Sequence, residues 1–327
     1  MKILKKILAV GMIGLIAFSA AACGGESRDQ VVIYTNADQE AVEAMENALD
    51  NNGYEGKYIL QTFGTSELGG RILAEGTNIE ADLITMSSFY IESAQAENSM
   101  FLDLTFDANA MKEYPSYYTS ITCQEGALII NTEALASEGL EAPSSIKDLA
   151  DPKYEGMISI PDIEGSSTGW LLVQDVISGY SEDEAKTIMT GILKNAGPHL
   201  ESSGSGPIEK VRSGEVPIAF GLRHQAVRDK NDGLPIDYID PSEGNFSLTE
   251  SVAVIDHGEE TDPLAMEMAE CIIKNGRNEL LQTYPVPLYN GEEADENAIS
   301  AYPAEFSQPL TVELLEEHKA FVDECRQ

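Results

Sequence analysis

The sequence is poor in positive charge: its 327 residues carry 20 Lys and Arg against 56 Asp and Glu, a formal net charge of −36. So acidic a chain repels nucleic acid and anionic lipid, which excludes a nucleic-acid binder. It also means that an anionic solute must be gripped by local geometry, because the overall field opposes it. Cysteine is scarce as well. There are four, and none stands in CxxC or Cys/His metal spacing. With Cys23 set aside, Cys123, Cys271 and Cys325 are an odd number that cannot pair fully, so buried free thiols are expected, with one disulfide as the alternative. The four histidines, His199, His224, His257 and His318, offer no pair at ligand spacing. Neither a metal site nor a cofactor is expected. The chain has no Walker A loop, no short-period repeat and, beyond its first two dozen residues, no apolar run able to span a bilayer.

What is present starts with Lys2, Lys5 and Lys6, the apolar run Ile7 to Phe18, and Ser19-Ala-Ala-Ala22 before Cys23. A cationic head, a short apolar segment and small residues describe an export signal. Cys23-Gly-Gly25 resembles a bacterial lipobox, with Ala20 where Leu is usual. That resemblance implies that residues 1–22 are removed, that Cys23 is lipidated, and that 23–30 is a linker holding the protein at the outer face of the membrane by its acyl chains alone. A plain secretory peptide is the alternative.

At this length two lobes are the default. Val31–Thr35, Lys57–Thr62 and Ala81–Thr85 read as strands, separated by a helix capped by Asp38 and a helix over Glu67–Ala74. This β-α-β-α-β order implies an α/β fold with a parallel sheet. Polar pairs stand at the strands' carboxyl ends, where such sheets form a crevice: Thr35 and Asn36, Thr65 and Ser66, Ser87 and Ser88. Farther on, Gly126–Ile130, Gly156–Ile160 and Ser251–Ile255 read as strands, Trp170–Ile177 as a helix, and Ser181 with Glu184 as a capping box. A last amphipathic helix is expected near Thr311–Glu324.

The stretch Glu201–His224 reads as a Ser/Gly loop, a short helix with Pro207 in its first turn, and the strand Val216–Phe220. Ser203, Gly204 and Ser205, like Thr65-Ser66 and Ser167-Thr168, precede a helix, so hydroxyls and free N–H groups could converge on one anion. Arg223 and His224 follow the strand, and Arg223 would supply a planar cationic fork. If the solute also carries an amine, Asp162, Glu164 and Glu250 are all candidates to receive it. Taken singly, each loop has an ordinary capping role as its alternative.

Gly165-Ser-Ser167-Thr-Gly169 satisfies GxSxG between a strand and a helix, a setting shared with hydrolase nucleophiles. Pro161 to Glu164 intervene after the strand, however, and the pattern arises cheaply in Ser/Gly-rich loops. A serine hydrolase is the lesser alternative, and no enzyme is expected.

Asp151-Pro-Lys-Tyr-Glu-Gly156, Ile160-Pro-Asp162 and Ser203-Gly-Ser-x-x-Ile-x-x-Val-x-Ser-Gly-Glu215, in that order, resemble the extracellular solute-binding proteins of ABC importers. The resemblance is to the group that binds ferric iron, putrescine, thiamine, sugar phosphates and 2-aminoethylphosphonate. It implies a type II periplasmic-binding-protein fold of two lobes, each a mostly parallel mixed sheet flanked by helices, with lobe 1 formed by residues 31–122 and 249–327 and lobe 2 by 123–248. Two crossings, near Ile121–Ala127 and Phe246–Glu250, would let the lobes close as a clamp. It further implies a monomer, and permease and ATPase partners on separate chains. Ferric binders of the group carry a tyrosine pair after the strand matching Val216–Phe220. Here Gly221-Leu-Arg-His224 stands in that place, so the expected solute is a small anion, an organophosphonate such as 2-aminoethylphosphonate or a phosphate ester. Ferric iron, aided by Tyr114, Tyr117 and Tyr118, or another cation such as thiamine or a polyamine, is the alternative.

Overall fold

Val31–Thr35 form β1, and all five residues are buried, as a strand covered on both faces requires. The computed structural model, which describes residues 30–293 and 299–326, continues with α1 (Gln39–Leu49), β2 (Tyr58–Thr62), α2 (Thr65–Glu75), β3 (Leu83–Ser87) and α3 (Ser88–Asn98). β1 pairs in parallel with β2 and β3, which is the unit expected from the sequence. The expected signal segment 1–22 and Cys23 lie outside the described residues.

The chain goes on through β4 (Thr119–Asn131), α4 (Thr132–Glu138), β5 (Ile158–Pro161), α5 (Ser167–Gly179), α6 (Glu182–Ala196), β6 (Leu200–Glu201) and α7 (Gly206–Ser213). Then come β7 (Ile218–Leu222), α8 (Arg223–Asn231), β8 (Ile236–Ile239), β9 (Asn245–Val254), α9 (Pro263–Cys271), α10 (Arg277–Thr283), β10 (Pro303–Ala304) and α11 (Val312–Cys325). The result is an α/β fold whose mixed sheet has the strand order β2-β1-β3-β9-β4-β7-β5-β6, with β8 added to β4 and β10 to β9.

Two strands are far longer than their apolar runs suggest. β4 has 13 residues and β9 has 10, against five expected for each. Thr119–Glu125 is polar enough to hide a strand from hydrophobic patterning, yet it lies antiparallel to β9. The hydroxyls of Ser120 and Ser251 meet across this pair at 3.1 Å. Past Gly126 the same β4 changes partners and pairs with β7 and β8, while Glu250 to Val254 of β9 pair with β3. β4 and β9 therefore join the β1–β3 group to the β5–β8 group.

Several helices begin earlier than expected. α2 opens at Thr65 and α5 at Ser167, so these residues lie in first turns and not ahead of them. Asp38 caps α1 as expected, its Oδ1 accepting from the Ala41 N–H at 3.2 Å. Ser181 precedes α6 without a side-chain capping bond, so the expected capping box is not formed there.

Trp170 is fully buried on α5, edge-on to Phe89 and Phe306. Its indole N–H donates to Nδ1 of His318 at 2.7 Å, which docks α11 on α5. Cys123, Cys271 and Cys325 are free and buried. Tyr114, Tyr117 and Tyr118 pack on one another, with centroids 5.5–5.6 Å apart for the two pairs through Tyr118.

Candidate binding site

The turns that leave β1 and β2 and those that enter α5 and α7 meet around one cavity of about 290 Å³. Asn36, Ala37 and Asp38 come from the first, and Phe63, Gly64 and Thr65 from the second. Gly165 to Thr168 and Ser202 to Ser205 supply the facing wall, while Gln124, Leu222 and Glu250 reach it from strands. Its charged lining residues are Asp38 and Glu250, both carboxylates.

The three helix starts differ. Ser166 Oγ accepts from the Thr168 N–H at 3.2 Å and so caps α5, and Ser203 Oγ accepts from the Gly206 N–H at 3.0 Å ahead of α7. α2 has Gly64 at its cap and no capping side chain, which leaves its first N–H groups free of a side-chain acceptor.

Glu250 lies on β9 and is 4% exposed. Its Oε1 accepts from Ser87 Oγ at 2.8 Å and from Asn36 Nδ2 at 3.5 Å, while Oε2 is buried without a hydrogen-bond partner. Burial pushes its carboxyl up to about 8; the bonds from Ser87 and Asn36 offset this in part, and the nearby Asp38 charge adds to it.

Asp38 behaves in the opposite way. Burial raises its carboxyl, but His224, the Tyr284 hydroxyl and the Ala41 N–H together outweigh that and hold it below the ordinary value. Tyr284 donates to Oδ1, and His224 Nε2 stands 3.5 Å from Oδ2, which has no hydrogen-bond partner. Asn36 donates from Nδ2 to Thr65 Oγ1 at 2.9 Å, and its Oδ1 is also buried without a donor.

Of the residues singled out from the sequence, Asn36, Thr65, Ser167, Thr168, Ser203, Gly204, Ser205 and Glu250 line this cavity. Others support it from behind. Thr35 Oγ1 accepts from Thr85 Oγ1 at 2.6 Å, Ser87 holds Glu250, and Ser88 meets Thr249 and Ser251, each at 2.7 Å. Ser66 lies at the edge, donating to the Glu164 carbonyl at 2.7 Å.

Arg223 is not part of the lining. Nε and Nη2 bind the two carboxylate oxygens of Asp240, and Nη2 also donates to the Ile299 carbonyl. His224 lines a different cavity, between α8 and α10, with its ring 4.4 Å from that of Tyr284. Asp162 accepts from Arg326 at 2.6 Å, and Glu164 lies 3.9 Å from Lys319, so of the three proposed amine acceptors Glu250 is the one in the lining. Asp38 was legible only as a helix cap. The signal for more was its place two residues past Asn36 at a strand's carboxyl end.

The GxSxG spacing has a packing cause. A Cβ on Gly165 would fall 2.5 Å from the Ser202 carbonyl oxygen, one on Gly169 would fall 2.5 Å from the Ile163 nitrogen, and one on Gly204 would fall 2.3 Å from Thr168 Oγ1. Gly165 lets two loops touch backbone to backbone, Gly169 folds its own segment back on itself, and Gly204 makes room for the Thr168 hydroxyl.

Residues 85–300 match the model of a family described as bacterial extracellular solute-binding proteins. An uncharacterized protein of Haemophilus influenzae is 24% identical over 287 residues, 85% of this chain and 82% of that one. A periplasmic thiamin-binding protein superposes with a TM-score of 0.73 at 14% identity, covering 94% of this chain and all of that one. Iron-bound HitA from Pseudomonas aeruginosa gives 0.67 at 18% identity, over 92% and 100%. At such identities the superpositions speak for the fold.

Proposed function

We propose, because the chain belongs to the bacterial extracellular solute-binding proteins, that it captures a small polar solute in the cavity between α2, α5 and α7 and delivers it to an ABC importer. The family is extracytoplasmic and not catalytic. Its partners would be a permease and an ATPase on other chains, and Cys23 would carry the lipid that keeps the protein beside them.

In this reading β4 and β9 are the crossings between two lobes. Residues 31–122 with 249–327 form one and residues 123–248 the other, α11 at the end of the first packing on α5 and α6 of the second. Asn36, Asp38, Thr65 and Glu250 face the solute from one side, and Ser167, Thr168, Ser203, Gly204 and Ser205 from the other. Contacts from both sides would favour the closed form, so closure draws on differential affinity.

One observation carries the choice of solute. The charged groups of the lining are Asp38 and Glu250, while Arg223 is committed to Asp240. A solute bearing a positive charge, the alternative stated from the sequence, therefore fits better than a purely anionic one. An anionic end on the same solute has the uncapped start of α2 available to it.

The test is a thermal-shift and calorimetric screen of the mature protein against 2-aminoethylphosphonate, phosphate esters, thiamine, putrescine and ferric citrate. A solute that binds only the folded state raises the melting temperature, and closure shrinks the radius of gyration in X-ray scattering. A screen without any shift, or turnover of an ester, would refute this function.

A further inference from the structure

We propose, resting on the solute-binding reading above, that Asn36, Asp38 and Glu250 form a subsite for a primary ammonium group of the solute. Asn36 Oδ1 and Glu250 Oε2 are buried without a hydrogen-bond partner, and Asp38 Oδ2 is buried facing His224 Nε2 at 3.5 Å, on three residues that line the same cavity. Buried acceptors are normally paired, so Asn36 Oδ1 and the carboxylate oxygens, once Glu250 has given up its proton, are accounted for when a ligand brings the donors.

An ammonium group has three N–H donors and no acceptor. It matches the three oxygens in number, and its single positive charge balances the Glu250 carboxylate that forms on binding, Asp38 already facing His224. The neighbouring bonds fix which atoms stay open. Asn36 turns its amide nitrogen to Thr65 and Glu250, Ser87 occupies Glu250 Oε1, and Tyr284 with the Ala41 N–H occupies Asp38 Oδ1.

Two other cations fit less well. Ferric iron calls for several anionic oxygens, but one of the three open atoms is a neutral amide, and among the described residues no three His, Cys, Asp or Glu are grouped to hold a metal. A quaternary or aromatic cation is recognised by a cage of rings, and Phe63 is the one aromatic residue of the lining.

The charge balance gives a second signature. With the site empty, Glu250 is a protonated acid at pH 7, since burial holds it up to about 8. Asp38 stays ionised beside His224 and Tyr284, the groups that face it from α8 and from the end of α10. Entry of the ammonium group stabilises the Glu250 carboxylate, so its proton leaves for solvent as the ion pair forms. Binding should therefore release up to one proton at pH 7 and tighten as the pH rises toward 8.

The experiment is calorimetry on the mature protein at pH 7, in two amine-free buffers of unlike ionisation enthalpy. Probes are 2-aminoethylphosphonate, ethylphosphonate, putrescine and ferric citrate. An amine probe should bind with proton release, and ethylphosphonate should bind about tenfold or more weakly than its amino twin. Glu250→Gln should weaken the amine probe about tenfold or more and abolish the proton release. Asp38→Asn, which keeps a capping oxygen, should weaken it as well, and circular dichroism checks that both variants fold. Ethylphosphonate binding as tightly as 2-aminoethylphosphonate, ferric citrate alone binding, or an unaltered Glu250→Gln would overturn the subsite. If such a probe still shrinks the radius of gyration, the solute-binding function stands without the ammonium subsite. If no probe binds and none changes the radius, both are lost.

Discussion

Nε and Nη2 of Arg223 meet the carboxylate oxygens of Asp240 at 2.7 and 3.2 Å, outside the cavity that the surrounding sequence builds. The two side chains are 4% and 11% exposed, and Asp240 also accepts from Asn245 Nδ2 and the Ala301 N–H. The pair thus ties the start of α8 to the first residue of β9 and to the segment just before β10. Arg223→Ala should cost about 3–5 kcal/mol in urea unfolding, as loss of one partner of a buried pair does. Solute affinity should move less than about threefold, against the 1.4 kcal/mol that a tenfold change requires. Arg223→Lys should also destabilise, because an ammonium cannot reproduce the two-point fork.

The Trp170–His318 bond makes stability fall with acid. Burial lowers the His318 pKa below 6.5, against a smaller opposing pull from Glu317, and a protonated Nδ1 cannot accept from the indole. The unfolded chain therefore binds this proton more readily than the folded one, and stability is lost as pH drops from about 6.5 through the folded value. Trp170 is the single tryptophan, so its fluorescence reports the event directly. His318→Gln should flatten this part of the pH profile.

Asp175 lies inside α5, 0% exposed, with neither carboxyl oxygen hydrogen-bonded. Burial, with the Glu243 charge, raises its pKa well above 3.8. Here the folded state holds the proton more tightly, so stability declines as pH rises from about 4 toward the folded value, by up to about 1.4 kcal/mol per pH unit. Asp175→Asn should make the fall in stability between pH 5 and pH 7 shallower in denaturant titrations, the remainder belonging to Glu250. An unchanged slope would show that Asp175 does not hold its proton in the folded state.

Gly165→Ala should distort the cavity wall without touching a hydroxyl. Its Cβ would meet the Ser202 carbonyl, a backbone atom that cannot swing aside, at a cost of about 1–3 kcal/mol for forced overpacking. Solute affinity should fall together with stability. Ser167→Ala keeps the loop contact and should leave the melting temperature nearly unchanged.

How much of this was legible in the sequence depended on whether a residue announces itself by apolarity. β1, β7 and the βα turns did so, because buried strands are apolar and the polar residues after them stand out. The first half of β4 did not: Thr119, Ser120 and Thr122 are buried through pairing with β9, a long-range fact that no local pattern carries. Arg223 was placed correctly in chain order, but its partner lies 17 residues on, across β8, and only the fold reveals that it is already engaged. Asp38 hid behind its capping role, since one oxygen serves α1 while the other is buried facing His224.

The contact of Gly165 with Ser202, and of Gly204 with Thr168, has a dynamic consequence. Segments packed this closely, backbone on backbone at Gly165 and glycine on hydroxyl at Gly204, cannot shift separately by even a methyl's width. A guest that stills the Ser166–Thr168 turn therefore also quiets Ser202–Ser205, and this side of the cavity answers as one rigid jaw.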